Sequence, residues 1–504
     1  MIVPLTPLDF LERAARNFSD LEAIVQGSDR WTYGQFDDRC RRLASLLLER
    51  GLRPGDRVAY LAPNTIEMLE AYYGVLLAGG VLVPLNIRLA PAELQFVLDD
   101  SGATMLAVHP SLAETAARLT APAVVVLRDG YLAGFEPMEG RPVVDENAVC
   151  EIFYTSGTTG GPKGAMLTHR ALSTHATDSA LSMGCTHRDV VLHTIPLFHV
   201  NGWGTPHWVT LLGAKHVMLE RFDAATVLDA IVGEGVTRLH LVPTMASMLV
   251  VHPDFGRADT SSLVQVTVGG APPGADLLAE LERGFGCEVI CGYGLTEAAP
   301  QLTKALTKRS HDALSPGDQN RRRATTGLPN IGVELRVLGR DEAEVPWDAA
   351  TPGEVCVRSN HVMAGYWNKP DATDEVLRGG WLRTGDIATV DGEGYLTIVD
   401  RKKDLIISGG ENISSVEVEK AICAHPAVLE AAVVGRRDPR WGEVPMAYVV
   451  ARPAQSVDAA TLQEFLADRL AKFKIPKVIE VIDELPKSGT GKVLKTELRR
   501  RDAD

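Results

Sequence analysis

Tyr154-Thr-Ser-Gly-Thr-Thr-Gly-Gly-Pro-Lys-Gly164 is the most informative segment of this sequence, and it lies between a β-branched, aromatic run and a helical pattern. Glycines at this density allow positive-φ turns, in which successive backbone N–H groups point at one anion. Lys163 adds a mobile positive charge that can follow a phosphate. Short hydroxyl side chains supply further donors: Thr155, Ser156, Thr158 and Thr159. The segment therefore predicts a phosphate-binding loop.

The residue after the lysine separates this loop from the nucleotide loops of motor-type ATPases. Those loops place a Ser or Thr there to hold magnesium, whereas Lys163 is followed by Gly164. The segment instead resembles the signature loop of the adenylate-forming superfamily, which includes acyl-CoA synthetases, luciferases and the adenylation domains of peptide synthetases. The resemblance extends over nearly the whole chain, and it implies an ATP-dependent acid–thiol ligase of the acyl-CoA synthetase branch.

Length, charge and cysteine usage narrow the class of protein. A chain of 504 residues is long for one hydrophobic core, so at least two domains are expected. The formal net charge of −14 argues against a nucleic-acid-binding surface and gives no polybasic membrane anchor. Seven cysteines without paired spacing indicate reduced thiols. Because the N-terminus lacks a signal-peptide core, and glycine and proline interrupt the longest apolar run, Ala71 to Leu85, we expect a soluble, cytoplasmic protein without an integral membrane segment.

Amphipathic helical stretches alternate with short β-branched runs, which is typical of an α/β fold. Examples are a helix over residues 36–49 and strands over 57–61 and 124–127. Candidate functional loops follow predicted strands directly: the phosphate loop and the loops at 196–199, 243, 269–272 and 292–297. In open α/β sheets ligands bind beyond the carboxyl ends of the strands. We therefore expect these loops to meet at one crevice.

The last third of the chain predicts two further parts. Residues 327–399 change to short strands separated by glycine turns, which predicts a β-rich subdomain. A charged junction at 400–404 precedes a stretch long enough for a compact α+β unit. The prediction is a large multi-layer α/β domain over residues 1–400, with the β-rich subdomain, and a small α+β domain over residues 401–504. The resemblance implies that the small domain is mobile.

Several polar and aromatic residues fit an ATP site. Tyr293 offers an aromatic face for a purine, and Glu297 offers a hard oxygen ligand for the Mg²⁺ that accompanies ATP. Asp386 can accept two hydroxyl hydrogen bonds from a ribose, and Arg401 supplies a planar donor fork. By resemblance these residues are the adenine, metal and ribose contacts. The resemblance further implies a metal contact at Thr158 and nucleotide contacts at Gly157, Gly160, Gly270, Ala271, Gly292, Gly294 and Thr296, beside the phosphate-loop residues named above.

Lys492 is the predicted catalytic lysine, in the segment Pro486-Lys-Ser-Gly-Thr-Gly-Lys-Val-Leu-Lys495. When a carboxylate attacks the α-phosphate of ATP, two anions come together, and a lysine between them can orient both and neutralise charge. The lysine that matches in the family has this role. The other residues assigned to catalysis by resemblance are Glu297, Thr158 and His199.

A second element of the small domain is assigned to CoA. Gly409-Gly410-Glu411-Asn412 predicts exposed backbone with room for a thin ligand arm. By resemblance it meets the pantetheine thiol, and Lys403 aligns with the hinge about which the small domain turns between half-reactions.

The acid is predicted from the segment after Pro196-Leu-Phe-His199. No Arg or Lys lies between Arg188 and Lys215, so a second cation for a dicarboxylate is missing there and an apolar tail is favoured. The segment also resembles the Phe-His-Val-Asn-x-Trp element of bacterial fatty acyl-CoA synthetases, which favours a medium- or long-chain fatty acid. The predicted acyl pocket consists of His199, Val200, Asn201, Trp203, Gly204, Val242 and Gly269, with space provided by Gly202 and Gly204.

Alternatives remain open at this point. The acid could be aromatic, of the benzoate or cinnamate type, and the acceptor could be a carrier-protein arm instead of CoA. A non-catalytic nucleotide-binding protein would require loss of Lys492, Glu297 or Asp386, and all three are present. The expected partners are a carboxylic acid, ATP and CoA, and a homodimer is left open.

Overall fold

The computed structural model describes residues 3–155, 161–271, 273–409, 411–453, 455–487 and 493–501. Its contacts divide the chain into two units. Unit 1 consists of Met1–Leu335 and Val357–Leu382, and unit 2 of Arg336–Cys356 and Arg383–Asp504. Residues 383–400 thus group with the C-terminal residues, so this division does not coincide with the boundary predicted at residue 400.

Unit 1 carries the alternating helices and strands that the sequence predicts. Up to the phosphate loop these are α1 (Leu8–Asn17), β1 (Glu22–Gln26), β2 (Asp29–Thr32), α2 (Tyr33–Glu49), β3 (Arg57–Leu61), α3 (Ile66–Leu77), β4 (Val81–Pro84), α4 (Pro91–Ser101), β5 (Met105–Val108), α5 (Ala113–Ala116), β6 (Val124–Val126) and β7 (Val149–Thr155). After the loop follow β8 (Lys163–Thr168), α6 (His169–Ser182), β9 (Val190–His193), α7 (Val200–Leu212), β10 (Lys215–Met218), α8 (Ala224–Glu234), β11 (Arg238–Leu241), α9 (Pro243–Val250), β12 (Gln265–Val268), α10 (Ala275–Phe285), β13 (Glu288–Gly294), β14 (Gln301–Lys304), α11 (Pro316–Arg323) and β15 (Leu328–Pro329).

The remaining elements belong to the last third of the chain. They are β16 (Val333–Leu338), β17 (Gly353–Ser359), β18 (Gly365–Tyr366), α12 (Pro370–Val376), β19 (Leu377–Arg378), β20 (Trp381–Val390), β21 (Leu396–Arg401), β22 (Ile406–Ser408), β23 (Glu411–Ile413), α13 (Ser415–Cys423), β24 (Val428–Asp438), β25 (Gly442–Ala451), α14 (Ala459–Ala467), β26 (Val478–Val481) and α15 (Lys495–Arg501). The boundaries between the units fall within β16, β17 and β20.

Two sheets form the body of unit 1. One runs in the order β15-β14-β13-β12-β11-β9-β10-β1-β2, and the other in the order β18-β8-β7-β4-β3-β5-β6. Strands β9, β11, β12 and β13 pair in parallel, so their carboxyl ends lie along one edge. The α/β class is therefore confirmed, and the edge at which the predicted loops emerge is defined.

Helices α2 and α3 show how local sequence sets these elements. At the start of α2, Gln35 N donates to Thr32 Oγ1 at 3.3 Å and Thr32 N donates to Gln35 Oε1 at 2.8 Å. This capping box satisfies two backbone donors that the first turn leaves free. Helix α3 is buried on all sides except at Glu67, as expected for a helix that is apolar all round. Within the described ranges, no helix combines the length and the apolar character needed to cross a bilayer.

Unit 2 contains a smaller α+β arrangement. One sheet runs in the order β23-β22-β25-β24, and β26 pairs in parallel with β25; most residues of a second sheet, β16-β17-β20-β19 with β21 paired to β20, also belong to this unit. Buried residues of β24 and β25, including Val433 and Val449, form a core with Val418 of α13 and Leu462 of α14. Helix α13 is capped by Ser414 Oγ, which accepts from Glu417 N at 3.0 Å.

Candidate active site

The phosphate-loop segment connects two antiparallel strands. Strands β7 and β8 pair so that Thr155 lies opposite Lys163, and Thr155 Oγ1 donates to Lys163 O at 3.4 Å. The segment is thus a hairpin connection, and β8 lies between it and the helix that the sequence predicted next. The predicted contacts within the loop lie outside the described residues: Ser156, Gly157, Thr158, Thr159 and Gly160.

Tyr366 brings Lys163 and Glu297 to one side chain. The Tyr366 hydroxyl donates to Glu297 Oε1 at 2.7 Å. The Lys163 ammonium lies 5.1 Å from the centre of the Tyr366 ring, a distance at which a cation is attracted to the ring face. Tyr366 is therefore a neighbour of both Lys163, the cation of the phosphate loop, and Glu297, the predicted metal ligand. These two residues lie 134 positions apart in the sequence.

The segment around Tyr366 is fixed to both of these elements through its backbone. Strand β18 pairs antiparallel with β8, and Trp367 N donates to Gly164 O at 2.7 Å. Met363 N donates to Glu297 O at 2.8 Å. Sequence reasoning missed Tyr366, because only the pairing of β18 with β8 places it beside Lys163.

Three of the predicted loops, those after β11, β12 and β13, meet at the carboxyl ends of the parallel strands. Gly269 directly follows β12, and a Cβ on it would lie 3.0 Å from Gly292 O and 3.1 Å from Trp203 Cη2. A Cβ on Gly270 would lie 3.3 Å from Val242 Cγ1. The structure therefore brings together residues of the predicted acyl pocket and of the predicted ATP contacts. Nearby on the same strand ends are Ala271, Tyr293, Gly294 and, in the turn after β13, Thr296.

Helix α7 carries the segment from which the acid was predicted. His199 is its half-buried N-cap, and Val200 and Trp203 are buried; the Asn201 side chain lies outside the described residues. A Cβ on Gly204 would lie 2.4 Å from His175 Cε1, and one on Gly202 would lie 2.9 Å from Leu197 Cδ2. These glycines allow close packing against neighbouring side chains, so the free space that the sequence suggested at them is already filled.

Asn64 and Tyr72 hold the loop that leads into α7. The Asn64 amide donates to His193 O at 2.9 Å and to Ile195 O at 3.0 Å, and its Oδ1 accepts from Leu197 N at 2.7 Å. The Tyr72 hydroxyl donates to Leu197 O at 2.6 Å. Neither residue belongs to a motif, so no pattern in the sequence indicated this positioning role.

In unit 2, the two predicted ribose contacts are neighbours. Asp386 and Arg401 lie opposite each other across β20 and β21. Arg401 Nε lies 3.3 Å from Asp386 Oδ1, and the Asp386 side chain is 7% exposed. A buried carboxylate beside a fixed guanidinium is a suitable acceptor for hydroxyl groups.

The element assigned to CoA is more crowded than the sequence suggested. Gly409 has a φ of +60°, and a Cβ on it would lie 2.7 Å from Trp441 Cε3. Glu411 begins β23, Lys403 lies in the turn after β21, and Gly410 lies outside the described residues. Gly409 therefore allows close contact with an aromatic ring, and the backbone at this position is not open as the sequence suggested.

The segment that contains Lys492 is anchored on both sides. Lys487 and Val493 form an antiparallel bridge, and Leu494 N donates to Pro486 O at 2.8 Å. Farther on, Arg499 Nη2 lies 2.6 Å from Asp404 Oδ1. Lys492 itself lies outside the described residues.

The described side chains fit a magnesium ion that takes few protein ligands. Among them, no group of three or more His, Cys, Asp or Glu residues could hold a metal ion. Magnesium is typically bound through one or two carboxylates together with substrate phosphates. Glu297, half-buried and oriented by Tyr366, fits that pattern.

Two protein-family models match the chain. The model described as AMP-binding enzyme matches residues 11–367, and the one described as AMP-binding enzyme C-terminal domain matches residues 417–492.

Individual relatives match almost end to end. A feruloyl-CoA synthase from an Amycolatopsis species is 42% identical over 97% of both chains. A long-chain-fatty-acid–CoA ligase from Thermus thermophilus is 39% identical, with 98% of this chain and 95% of the relative covered. A solved o-succinylbenzoate CoA synthetase from Bacillus subtilis, in complex with an acyl-adenylate intermediate, superimposes with a TM-score of 0.87 at 32% identity and 97% coverage of both chains.

Proposed function

The chain belongs to the AMP-binding enzyme family, as an ATP-dependent acyl-CoA ligase, and from that premise we propose how its residues divide the reaction. ATP, Mg²⁺ and CoA are the compounds that this class of enzyme uses with its acid. The acid's carboxylate attacks the α-phosphate of ATP, releasing pyrophosphate and forming an acyl-adenylate. The CoA thiolate then attacks the acyl carbon, and AMP leaves. The observation that carries the proposal is the pair of contacts from Tyr366 to Lys163 and Glu297.

We assign the first half-reaction to the motif residues that the resemblance implies. Lys163 and the hydroxyl groups of its loop hold the phosphates, Glu297 holds the magnesium ion, and Asp386 with Arg401 holds the ribose. Bound magnesium neutralises phosphate charge. We assign Lys492 to the position between the carboxylate and the α-phosphate, where a fixed cation stabilises the charge that develops.

We assign the second half-reaction to the Gly409–Glu411 element, with rotation of residues 401–504 about Lys403. This assignment rests on the motifs of the sequence. The ring of Trp441, which packs against Gly409, is the side chain that we expect beside the proposed thiol position.

For the acid, we propose a compact substrate with an aromatic ring. The Trp203 ring packs on the backbone of Gly269 and near Gly270, with its ring atoms 3.1 Å and 3.7 Å from their Cβ positions. A ring in this place leaves little depth for a long alkyl chain between α7 and the strand ends. The relative that makes feruloyl-CoA, at 42% identity, supports the same class.

A fatty acid is the second candidate. The Phe-His-Val-Asn-x-Trp element and the 39% identical long-chain ligase support it. A channel for such a tail would require the Trp203 side chain to move.

The test is acid-dependent release of pyrophosphate, measured with and without CoA. The panel consists of saturated acids from acetate to palmitate, beside benzoate, cinnamate, ferulate and malonate. We expect the highest kcat/KM with the cinnamate-type acids. A value that climbs with chain length, at up to about 0.8 kcal/mol per methylene, would favour the fatty acid. If no acid elicits pyrophosphate release, the ligase proposal itself is wrong.

A further inference from the structure

Helix α4 ends with two carboxylates, at a position where a helix disfavours them. Its last turn reads Leu98-Asp-Asp-Ser101. The carboxyl end of a helix carries a partial negative charge, so an anion there is destabilising. Asp99 is exposed, and its Oδ1 accepts from Gln95 Nε2 at 2.9 Å within the same helix. Asp100 is different, because its side chain contacts residues that lie far away in the sequence.

Asp100 contacts two segments of the candidate site. The hydroxyl of Tyr154 donates to Asp100 Oδ2 at 2.7 Å. The ammonium of Lys369 lies 3.1 Å from Asp100 Oδ1, and the indole N–H of Trp367 donates to Asp100 O at 3.1 Å. The Asp100 side chain is only 16% exposed, and hydrogen bonds to a shielded carboxylate are among the stronger ones. Three groups from two distant segments thus converge on one residue.

These contacts hold Gly164, the residue that follows Lys163. Tyr154 lies opposite Gly164 across β7 and β8, and a Cβ on Gly164 would lie 3.1 Å from Tyr154 Cε2. Strand β8 lies between β7 and β18, and from the β18 side Trp367 N donates to Gly164 O at 2.7 Å. The backbone at Gly164 is therefore fixed by two aromatic residues, and both of them are hydrogen-bonded to Asp100.

Arg57 holds the same end of α4. Its Nε donates to Ser101 O at 2.8 Å, and its Nη2 donates to Gly102 O at 2.7 Å. The guanidinium carbon also lies 5.3 Å from the centre of the Trp367 ring. A cation that binds the last carbonyl groups of a helix stabilises that end. Arg57 thus offsets part of the unfavourable placement of Asp100 and fixes the backbone that carries it.

We propose that Asp100 is a positioning residue for the phosphates and the magnesium ion of ATP. This inference rests on the proposed function. Through Tyr154, Asp100 orients the strand that begins at Lys163. Through Trp367, it orients the preceding residue, Tyr366, which contacts the proposed metal ligand. None of the described contacts of Asp100 reaches the acyl pocket, so binding of the acid should not depend on it.

Asp100→Asn tests this role with the smallest change in shape. The amide keeps the size of the side chain, but it offers one oxygen to two donors. Either the Tyr154 hydroxyl or the Lys369 ammonium therefore loses its acceptor. The substitution also removes an anion from the end of α4, which by itself favours the helix.

The experiment measures pyrophosphate release while MgATP and the most active acid of the panel are varied separately. We expect Asp100→Asn to raise KM for MgATP by about three- to tenfold, the size expected when one hydrogen bond is lost. KM for the acid should stay near its wild-type value. A merely structural role would lower the amount of active enzyme, and hence the rate at saturation, without separating the two KM values.

Asp99→Asn is the matched control. It removes the neighbouring carboxylate from the same helix end, and the described contact of that carboxylate stays within α4. Both KM values should remain unchanged in this variant. The inference is overturned if Asp100→Asn raises both KM values alike, or if it raises KM for MgATP no more than Asp99→Asn does.

Two further variants test the inference should Asp100→Asn fail to fold. Tyr154→Phe and Lys369→Met each remove one donor to Asp100 and leave the carboxylate in place. Each should reproduce part of the rise in KM for MgATP at an unchanged KM for the acid. Wild-type KM values for MgATP in both variants would overturn the inference.

A binding measurement separates this inference from the proposed function. Calorimetric titration with MgATP in the absence of acid requires no turnover. Weaker binding by Asp100→Asn than by Asp99→Asn supports the inference even if no acid is activated, and equal binding contradicts it. Turnover of an acid with the same KM for MgATP in wild type and Asp100→Asn contradicts the inference and leaves the ligase proposal intact.

Discussion

The hydroxyl of Tyr366 donates a hydrogen bond of 2.7 Å to Glu297 Oε1, while its ring faces the ammonium of Lys163. One side chain thus orients the proposed metal ligand and contacts the cation of the phosphate loop. A hydrogen bond to a charged group is shorter and stronger than one between neutral groups. Its loss should therefore be measurable in the reaction.

Tyr366→Phe keeps the ring and removes this hydrogen bond. We expect the Mg²⁺ concentration at half-maximal pyrophosphate release to rise by about three- to tenfold, consistent with a net hydrogen-bond contribution of about 1 kcal/mol. Tyr60→Phe is the matched control, because the Tyr60 hydroxyl is buried without a partner among the described residues. An equal rise in both variants would mean that Tyr366 acts through packing alone.

Glu297→Gln tests the metal ligand directly. The substitution keeps the size of the side chain and removes the charge that a hard cation requires. Activity should therefore demand a much higher Mg²⁺ concentration, by more than the change seen with Tyr366→Phe. An unchanged dependence of activity on the Mg²⁺ concentration would show that Glu297 has a structural role and does not bind the metal.

Lys492→Ala should separate the two half-reactions. We expect acid-dependent pyrophosphate release to fall by roughly a hundredfold or more, as after loss of a fixed charge at a developing anion. Conversion of supplied acyl-adenylate to acyl-CoA should remain near the wild-type rate. A parallel loss of both steps would contradict the assignment of Lys492 to adenylation.

Gly204→Ala should destabilise the fold. Gly204 has a φ of +77°, and a Cβ there would lie 2.4 Å from His175 Cε1; that ring is held by Ser179 Oγ and Gln301 N at 3.1 Å each. Strain and overpacking together should cost about 2–4 kcal/mol. Gly235→Ala, at φ +65° with no atom within 4 Å of the added Cβ, should cost only about 1 kcal/mol. Urea unfolding, followed by fluorescence, measures the free energy of unfolding of both variants. Equal losses of stability would show that packing against His175 does not contribute.

Lys304→Met should raise stability near neutral pH and lose that advantage in alkali. Burial lowers the folded-state pKa of Lys304 to about 7 from an ordinary value of 10.5, with further influence from Cys185 and Arg238. Between these values the unfolded chain binds the extra proton, so wild-type stability rises as pH increases from about 7 to 10.5. The variant lacks that rise.

Melting temperatures of both proteins at several pH values from 6 to 10 check this prediction. The difference in free energy of unfolding between the two proteins should amount to a few kcal/mol at pH 7, since one pKa unit corresponds to about 1.4 kcal/mol. Arg238, His175, His240 and Cys185 also face Lys304, but burial holds the pKa of His175 well below its usual value, that of His240 at about 3 and that of Cys185 at about 12, outside the range of the measurement. A gap that does not change with pH would show that Lys304 is not the titrating group.

Local patterns predicted much of the fold. Strand β3 has the bounds expected from its β-branched run, and β6 begins at the expected residue and ends one residue earlier than expected. The convergence of the loops followed from the rule for strand ends, which the parallel pairing of β11, β12 and β13 satisfies. Motif matching identified Glu297 and Asp386 as candidates.

The remainder depends on contacts between distant parts of the chain. Tyr366 reaches Lys163 only through the pairing of β18 with β8. The absence of Arg and Lys between Arg188 and Lys215 concerns neighbours in sequence alone, and cations on other strands, such as Lys304 of β14, are not covered by it. A glycine in a sequence indicates that no side chain occupies the position, and Gly204 and Gly409 show that a neighbouring side chain can already fill the space.

The three hydrogen bonds of the Asn64 side chain bear on attempts to exchange substrate preference between related ligases. The path of residues 193–197 into α7 is set by an amide that precedes α3, more than a hundred positions earlier in the chain. Grafting the α7 segment alone would separate it from the group that fixes its entry. A transplant that is meant to carry a pocket geometry with it must therefore include Asn64 and Tyr72 with the grafted helix.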